Sequence, residues 1–305
     1  MTALAPIVLF TYNRLKNTRE TVSCLLVNRE AAESDLIVYS DAPKNEQAAA
    51  SVQQVREYLR TIIGFRSVTI VEREQNYGLV RNITSGVTET VDQYGCVIVL
   101  EDDHSVSPYF LQYMNEGLRL LADRTDIASI HGYMYPHKSP LPEVFLVKGA
   151  DCWGWATWKR GWDLFNPDAA SLCAAIKSQR REREFDFGGT YPYMQMLKDQ
   201  ADGKKGSWAI CWYASVFLLD KYTVYPGQSL VCLNSLADKG EHNRPSRTML
   251  RFAVPLNQRP VDWSKGALEG ESLVGRKAFA HFFRSSRSIW KRFAAYITHL
   301  WNKQR

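Results

Sequence analysis

Short apolar runs alternate with amphipathic stretches through the first third of the chain, a rhythm that predicts βαβ units and a largely parallel sheet. Ile7–Thr11 opens as a buried strand. The spacing of Thr21, Val22, Leu25 and Leu26 predicts a helix over 17–28. Strands at 36–40 and 67–73 flank a helix over 47–63, and a helix over 80–94 leads to the wholly apolar strand 96–100. After His104 the pattern loosens. A helix is expected over 108–122, a strand over 127–131, and a turn through Pro136, Pro140 and Pro142. Arg180–Glu184 reads as a solvated helix face, and strands within 223–233 close the body before a polar loop over 234–243.

Ligands of parallel sheets gather at the carboxyl ends of the strands. Three polar clusters fall there: Thr11-Tyr12-Asn13-Arg14, Asp41, and Glu101-Asp102-Asp103. The last is the strongest signal. Three adjacent carboxylates repel one another and need a compensating cation or donors. A hard divalent ion, Mn2+ or Mg2+, chelating a diphosphate supplies that compensation. An acidic turn capping the following helix is the competing explanation.

Several motifs in order then carry a resemblance. Pro6-Ile7-Val8-Leu9-Phe10-Thr11-Tyr12-Asn13-Arg14, Asn76-Tyr77-Gly78-Leu79-Val80-Arg81-Asn82, Val99-Leu100-Glu101-Asp102-Asp103 and Trp153-Gly154-Trp155-Ala156-Thr157-Trp158 resemble the GT-A glycosyltransferases. These include bacterial family-2-like enzymes and the N-acetylglucosaminyltransferase that initiates complex N-glycans. The resemblance runs over most of residues 6–243. It implies an α/β fold, Rossmann-like, with a mostly parallel sheet flanked by helices and a C-terminal helical tail. It also implies transfer of a sugar from a nucleotide-sugar donor, a UDP-sugar favoured, to a saccharide acceptor.

By that resemblance Asp103 coordinates the metal, Glu101 reaches the ribose side and Asp102 lies near the donor sugar. Thr11 and Arg14 line the nucleoside pocket, and Asp41 reads the base edge, unless it is only a turn residue before Ala42-Pro43. Arg81 opens a helix beside the nucleotide, where a guanidinium suits phosphate or base; a surface Arg is the alternative. His242, in a Gly-containing polar loop, completes the metal shell or is merely solvated. Trp153, Gly154 and Trp155 suit a sugar site, since flat rings pack on pyranose faces, but each Trp is equally well explained as core. One position departs from the family. Inverting members need a carboxylate to deprotonate the acceptor, and where the N-glycan enzyme has Asp after a Trp this chain has Ala209. Asp151, Asp202 and Glu241, with Asp199, are the substitutes considered.

Composition refines this picture at the C-terminus. The chain of 305 residues carries a net charge of +6. Eight Lys and Arg with no acid fall in 276–305, which leaves −2 for everything before. Trp290, Phe293, Ile297, Leu300 and Trp301 share one helical face there, as in a basic amphipathic helix on an anionic membrane; packing on the body is the alternative. The expected organisation is a catalytic domain over 1–250, with a nucleotide half to about 104 and an acceptor half beyond, then a linker 251–275 and a tail 276–305. The first residues lack the pattern of a secretory signal, and the six cysteines form no C-x-x-C pair, so reduced thiols and a place at the cytoplasmic face of the cell membrane are expected. Nothing points to nucleic acid. A sugar-1-phosphate nucleotidyltransferase or a non-catalytic carbohydrate-binding protein are the competing functions. The first normally has a Gly-rich loop after its first strand, absent from Thr11–Lys16; the second does not explain the acidic triplet.

Overall fold

A computed structural model describes residues 4–234 and 249–285. In chain order the first half contains β1 (Ile7–Thr11), α1 (Leu15–Leu26), β2 (Asp35–Ser40), α2 (Glu46–Leu59), β3 (Ser67–Glu72), α3 (Gly78–Tyr94) and β4 (Cys96–Glu101). Next come β5 (His104–Val106), α4 (Phe110–Leu120), β6 (Ile127–His131), β7 (Val144–Val147) and β8 (Trp155–Trp158). A helical layer follows: α5 (Lys159–Trp162), α6 (Ala169–Ser178), α7 (Glu182–Phe185), α8 (Tyr193–Ala201) and α9 (Trp208–Leu218). The described chain closes with β9 (Tyr222–Pro226), β10 (Val231–Leu233), β11 (Ala267–Glu271) and α10 (Leu273–Ser285).

Nine strands form one sheet in the order β11-β7-β9-β6-β8-β4-β1-β2-β3. The block β4-β1-β2-β3 is parallel throughout, as expected, and β8 runs antiparallel between β4 and β6. The fold is therefore α/β, with a mostly parallel sheet flanked by helices. β1 and β4 are buried along their length because helices cover both faces, and that is why they appear in the sequence as unbroken apolar runs. The chain leaves β1 for β2 on one side, while β4 lies on its other side. Such a reversal opens a crevice at the strand ends.

The C-terminal region differs from expectation. Within the stretch expected to be a linker, β11 pairs in parallel with β7 and Val261 is buried. Residues 276–285, expected to belong to a free tail, continue α10, whose Ala278, Phe279, Phe282 and Phe283 are buried in the body. This apolar face precedes the one read from the sequence at 290–301, and its partner is the protein. Residues 286–305 lie outside the described residues. Among the described residues no helix is long and apolar enough to cross a membrane.

Candidate nucleotide and acceptor site

The register Phe10↔Glu101 sets the ends of β1 and β4 side by side, so the loop after β1 lies against the acidic triplet. Arg14 uses this placement. Its guanidinium donates to Asp102 Oδ1 and, at 3.2 Å, to Asp103 Oδ2. The electrostatics follow from the crowding. Burial, reinforced by Asp103, pushes Glu101 up to about 8, with Arg14 opposing. Burial also raises Asp102 above the usual carboxylate range. For Asp103, burial acts upward too, but Arg14 and then His104 outweigh it, and the group stays below its ordinary value. Asp102, ahead of the other acids, raises Arg14 in return. Burial lowers the pKa of His104 against the pull of Asp103, whose Oδ1 lies 3.6 Å from its Nε2; its Nδ1 accepts from the Glu101 N–H at 3.3 Å. Of the triplet, Asp103 is the acid whose surroundings lower its pKa, and its side chain is 28% exposed.

A cavity of about 260 Å³ opens beside it, and Thr11, Arg14, Asp41, Tyr77, Glu101 and Asp102 are among its lining residues. Thr11 is buried and its Oγ1 has no hydrogen-bond partner. Asp41 lies at the end of β2 as expected, but its carboxylate is already occupied. Oδ1 accepts from the N–H groups of Tyr77 at 2.8 Å and Ala42 at 2.9 Å. Oδ2 accepts from Gly78 N–H at 2.9 Å and Asn76 Nδ2 at 3.1 Å. Four donors fill the lone-pair sites of a carboxylate. Instead of offering an edge to a base, Asp41 pins the loop that begins α3, where Gly78 has the left-handed φ of +69°. Arg81 is exposed on the first turn of α3, with its guanidinium 3.7 Å from the Tyr77 ring centroid, and does not line the cavity.

Because β8 is antiparallel to β4, with Val99 opposite Trp155, the residues preceding Trp155 approach the same strand end as the triplet. Gly154 has φ +61°, and a side chain there would meet Val231 at 2.6 Å. Trp153 is half-buried, edge-on to Tyr133 at 4.9 Å and to Phe252 at 5.6 Å. Trp155 must be reassigned. It is 1% exposed and packs on Trp162, Trp208 and Trp212, so it is core and presents no face to a sugar. Trp158 is likewise buried, donating from Nε1 to the Leu118 carbonyl.

Asp151 is the expected base candidate that the fold brings to this side. Tyr135 Oη donates to its Oδ1 and Tyr225 Oη to its Oδ2, both at 2.9 Å. Burial pushes the carboxyl up to about 6 against the effect of both phenols. Asp151 and Cys152 precede β8, whose antiparallel register with β4 carries this segment toward the strand end where the triplet stands. Asp202 does not join them: it stands in water after α8, paired with Lys204 at 2.6 Å. Asp199 pairs with Lys205 at 3.6 Å. Ala209, where a base was expected from the resemblance, sits in the first turn of α9 against the core. Glu241 and His242 lie outside the described residues. The strand leading toward them is β10, which pairs with β5, and Asn234 N–H donates to the Asp103 carbonyl at 2.7 Å.

The donor set suits a hard divalent ion. Asp102 Oδ2 is buried without a hydrogen-bond partner, and the Asp103 carboxylate is ionised and partly exposed, so oxygens are available to an ion that brings diphosphate ligands of its own. Among the described residues, no group of three or more His, Cys, Asp and Glu side chains is placed to hold a metal ion. Tyr135 and Tyr225 were missed by sequence reasoning, which has no signal for phenols brought to Asp151 from separate strands and loops.

Residues 7–141 match the family model Glycosyl transferase family 2, a stretch that includes all the cavity-lining residues named above. No curated protein matches the chain. Solved structures that match include TarS of S. aureus, at 14% identity and a TM-score of 0.33, covering 48% of this chain and 24% of that one. They also include the mannosyltransferase PcManGT from Pyrobaculum calidifontis in complex with GDP-Man and Mn2+. There the identity is 12% and the TM-score 0.38, over 70% of this chain and 69% of that one. The chain thus spans about a quarter of the length of TarS.

Proposed function

We propose, from the match of residues 7–141 to glycosyl transferase family 2, that this protein transfers a sugar from a nucleotide-sugar donor to a saccharide acceptor. The observation that carries the proposal is the Glu101-Asp102-Asp103 triplet at the end of β4, gathered around Arg14 at the rim of a nucleoside-sized cavity. In this reading Thr11 and Tyr77 border the nucleoside. Glu101 faces the ribose and Asp102 the donor sugar, and Asp103 with His242 would hold Mn2+ or Mg2+. A metal ion bound there would neutralise charge developing on the leaving nucleoside diphosphate. Arg14 holds Asp103 ionised and places a fixed positive charge at the same point. Asp151 would take the proton as the acceptor hydroxyl oxygen bonds to the anomeric carbon and the bond from that carbon to the diphosphate oxygen breaks. Attack opposite the leaving group inverts the anomeric centre. Glu241 is the alternative base. A UDP-sugar donor, a lipid-linked or glycan acceptor in bacterial surface polysaccharide or lipopolysaccharide synthesis, and a place at the inner face of the membrane complete the proposal.

Incubating the protein with a panel of nucleotide sugars in Mn2+ tests this, since many transferases slowly hydrolyse their own donor. One donor is expected to release free sugar and nucleoside diphosphate, and EDTA is expected to stop the release. Formation of pyrophosphate from a nucleoside triphosphate and a sugar 1-phosphate would instead establish a nucleotidyltransferase. Sugar binding without any turnover would establish a binding protein.

A further inference from the structure

Asp151 is held by more of the molecule than its neighbours in sequence. Tyr135 follows β6 and Tyr225 lies in β9, yet their hydroxyls meet the two oxygens of one carboxylate. Both rings then rest on a single side chain of α10. Phe279, 1% exposed, lies edge-on to Tyr135 at 5.1 Å and to Tyr225 at 4.9 Å. Phe282 and Phe283 close on Tyr135 at 5.0 and 5.1 Å, while His131 closes on Tyr225 at 5.1 Å. Neither phenol can swing away without opening this packing.

We infer that Tyr135 and Tyr225 are positioning residues for Asp151, and that α10, through Phe279, completes the acceptor side of the site. The inference rests on the assignment of Asp151 as base. A carboxylate tethered at both oxygens cannot rotate about its Cβ–Cγ bond, yet each oxygen keeps a lone pair for an incoming hydroxyl. A general base must stand within hydrogen-bond reach of the proton it takes, and small misplacements are costly. The groups that face Asp151 electrostatically are phenols and a thiol: Tyr133, Tyr135, Tyr191, Tyr193, Tyr213, Tyr225 and Cys152. Among the described residues it has no ion-pair partner, so the two O–H donors are what favours its charged form.

The sign follows. Removing a donor from the ionised carboxylate raises its pKa further above about 6. Tyr135→Phe and Tyr225→Phe, singly and together in the full chain, keep the rings and remove only the hydroxyls. Carboxyl ¹³C NMR, with the Asp151 signal identified through Asp151→Asn, is expected to show its midpoint rising in each single variant and further in the double. In parallel, kcat for donor transfer is expected to fall about ten- to a hundredfold, with KM little changed and the acidic limb of the pH profile moving upward by the same amount. A midpoint unmoved by either substitution would overturn the positioning role. A midpoint that moves while the acidic limb stays would leave the phenols as the orienting pair of Asp151 and remove Asp151 as the base.

Discussion

Asp103→Ala is expected to lower transfer and donor hydrolysis on the order of a thousandfold while the protein remains folded. The two halves of that expectation have separate causes. Asp103 is the one acid of the triplet whose charge its surroundings favour, because Arg14 and His104 outweigh its burial. Its side chain is also more open than that of Asp102, 28% exposed against 3%, which suits it to meet a cation. Its loss also relieves repulsion on Glu101, which Asp103 helps to push up to about 8, so folding loses little when the side chain is removed. Its ion pair with Arg14 is partly exposed, and pairs of that kind contribute about 1 kcal/mol or less. Circular dichroism and melting should thus match the parent while turnover disappears. Near-parental turnover in Asp103→Ala would remove the triplet from the chemistry.

Ending the chain at Gly275 is expected to prevent folding, whereas ending it at Ser285 is not. The first truncation removes Phe279, Phe282 and Phe283, all buried. Losing each costs about 3–5 kcal/mol by analogy with Phe→Ala changes in cores. The sum, about ten kcal/mol, rivals the entire stability of an ordinary domain. Aggregation or the absence of a cooperative melt is the expected readout. A cooperative melt near that of the intact protein would contradict the packing of α10. The second truncation removes Arg287, Lys291, Arg292, Lys303 and Arg305, with no acid among residues 286–305. Each contributes about 1 kcal/mol of attraction near an anionic bilayer. The chain ending at Ser285 should keep donor hydrolysis and lose sedimentation with anionic vesicles, as the intact protein should in high salt. The boundary of the proposed membrane element thus falls ten residues later than charge alone suggests, because Arg276 pairs with Glu271 at 2.8 Å and belongs to the body.

What was legible in the sequence is what burial on both faces makes legible. β1, β2 and β4 appear as apolar runs, and the polar residues that end them mark the crevice. The polar strand Ala267–Glu271 had no such signal: it lies at the sheet edge, none of its residues is fully buried, and its composition is that of a linker. The helix face read from the sequence was that of Trp290 to Trp301, and the one that packs on the body, Phe279, Phe282 and Phe283, went unread because periodicity cannot say whether a protein or a membrane covers such a face. Within the site, strand-end position pointed to Arg14 and to the triplet, which the structure brings into contact. It could not show that Asp41 is filled by donors from Asn76, Tyr77 and Gly78, because that depends on how a distant loop folds back. Nor could it separate Trp153 from Trp155, two residues apart, one half-buried before the strand and the other enclosed by three further tryptophans.

Calorimetric titration of UDP, GDP and dTDP into the intact protein and into Asp103→Asn, each with Mn2+ and with EDTA, tests the central claim most directly. One nucleoside diphosphate is expected to bind the intact protein saturably with Mn2+, and to bind at least about tenfold more weakly in EDTA or when Asp103 is replaced. Failure of all three to bind at millimolar concentration, or binding indifferent to both Mn2+ and Asp103, would contradict a donor site built on the end of β4.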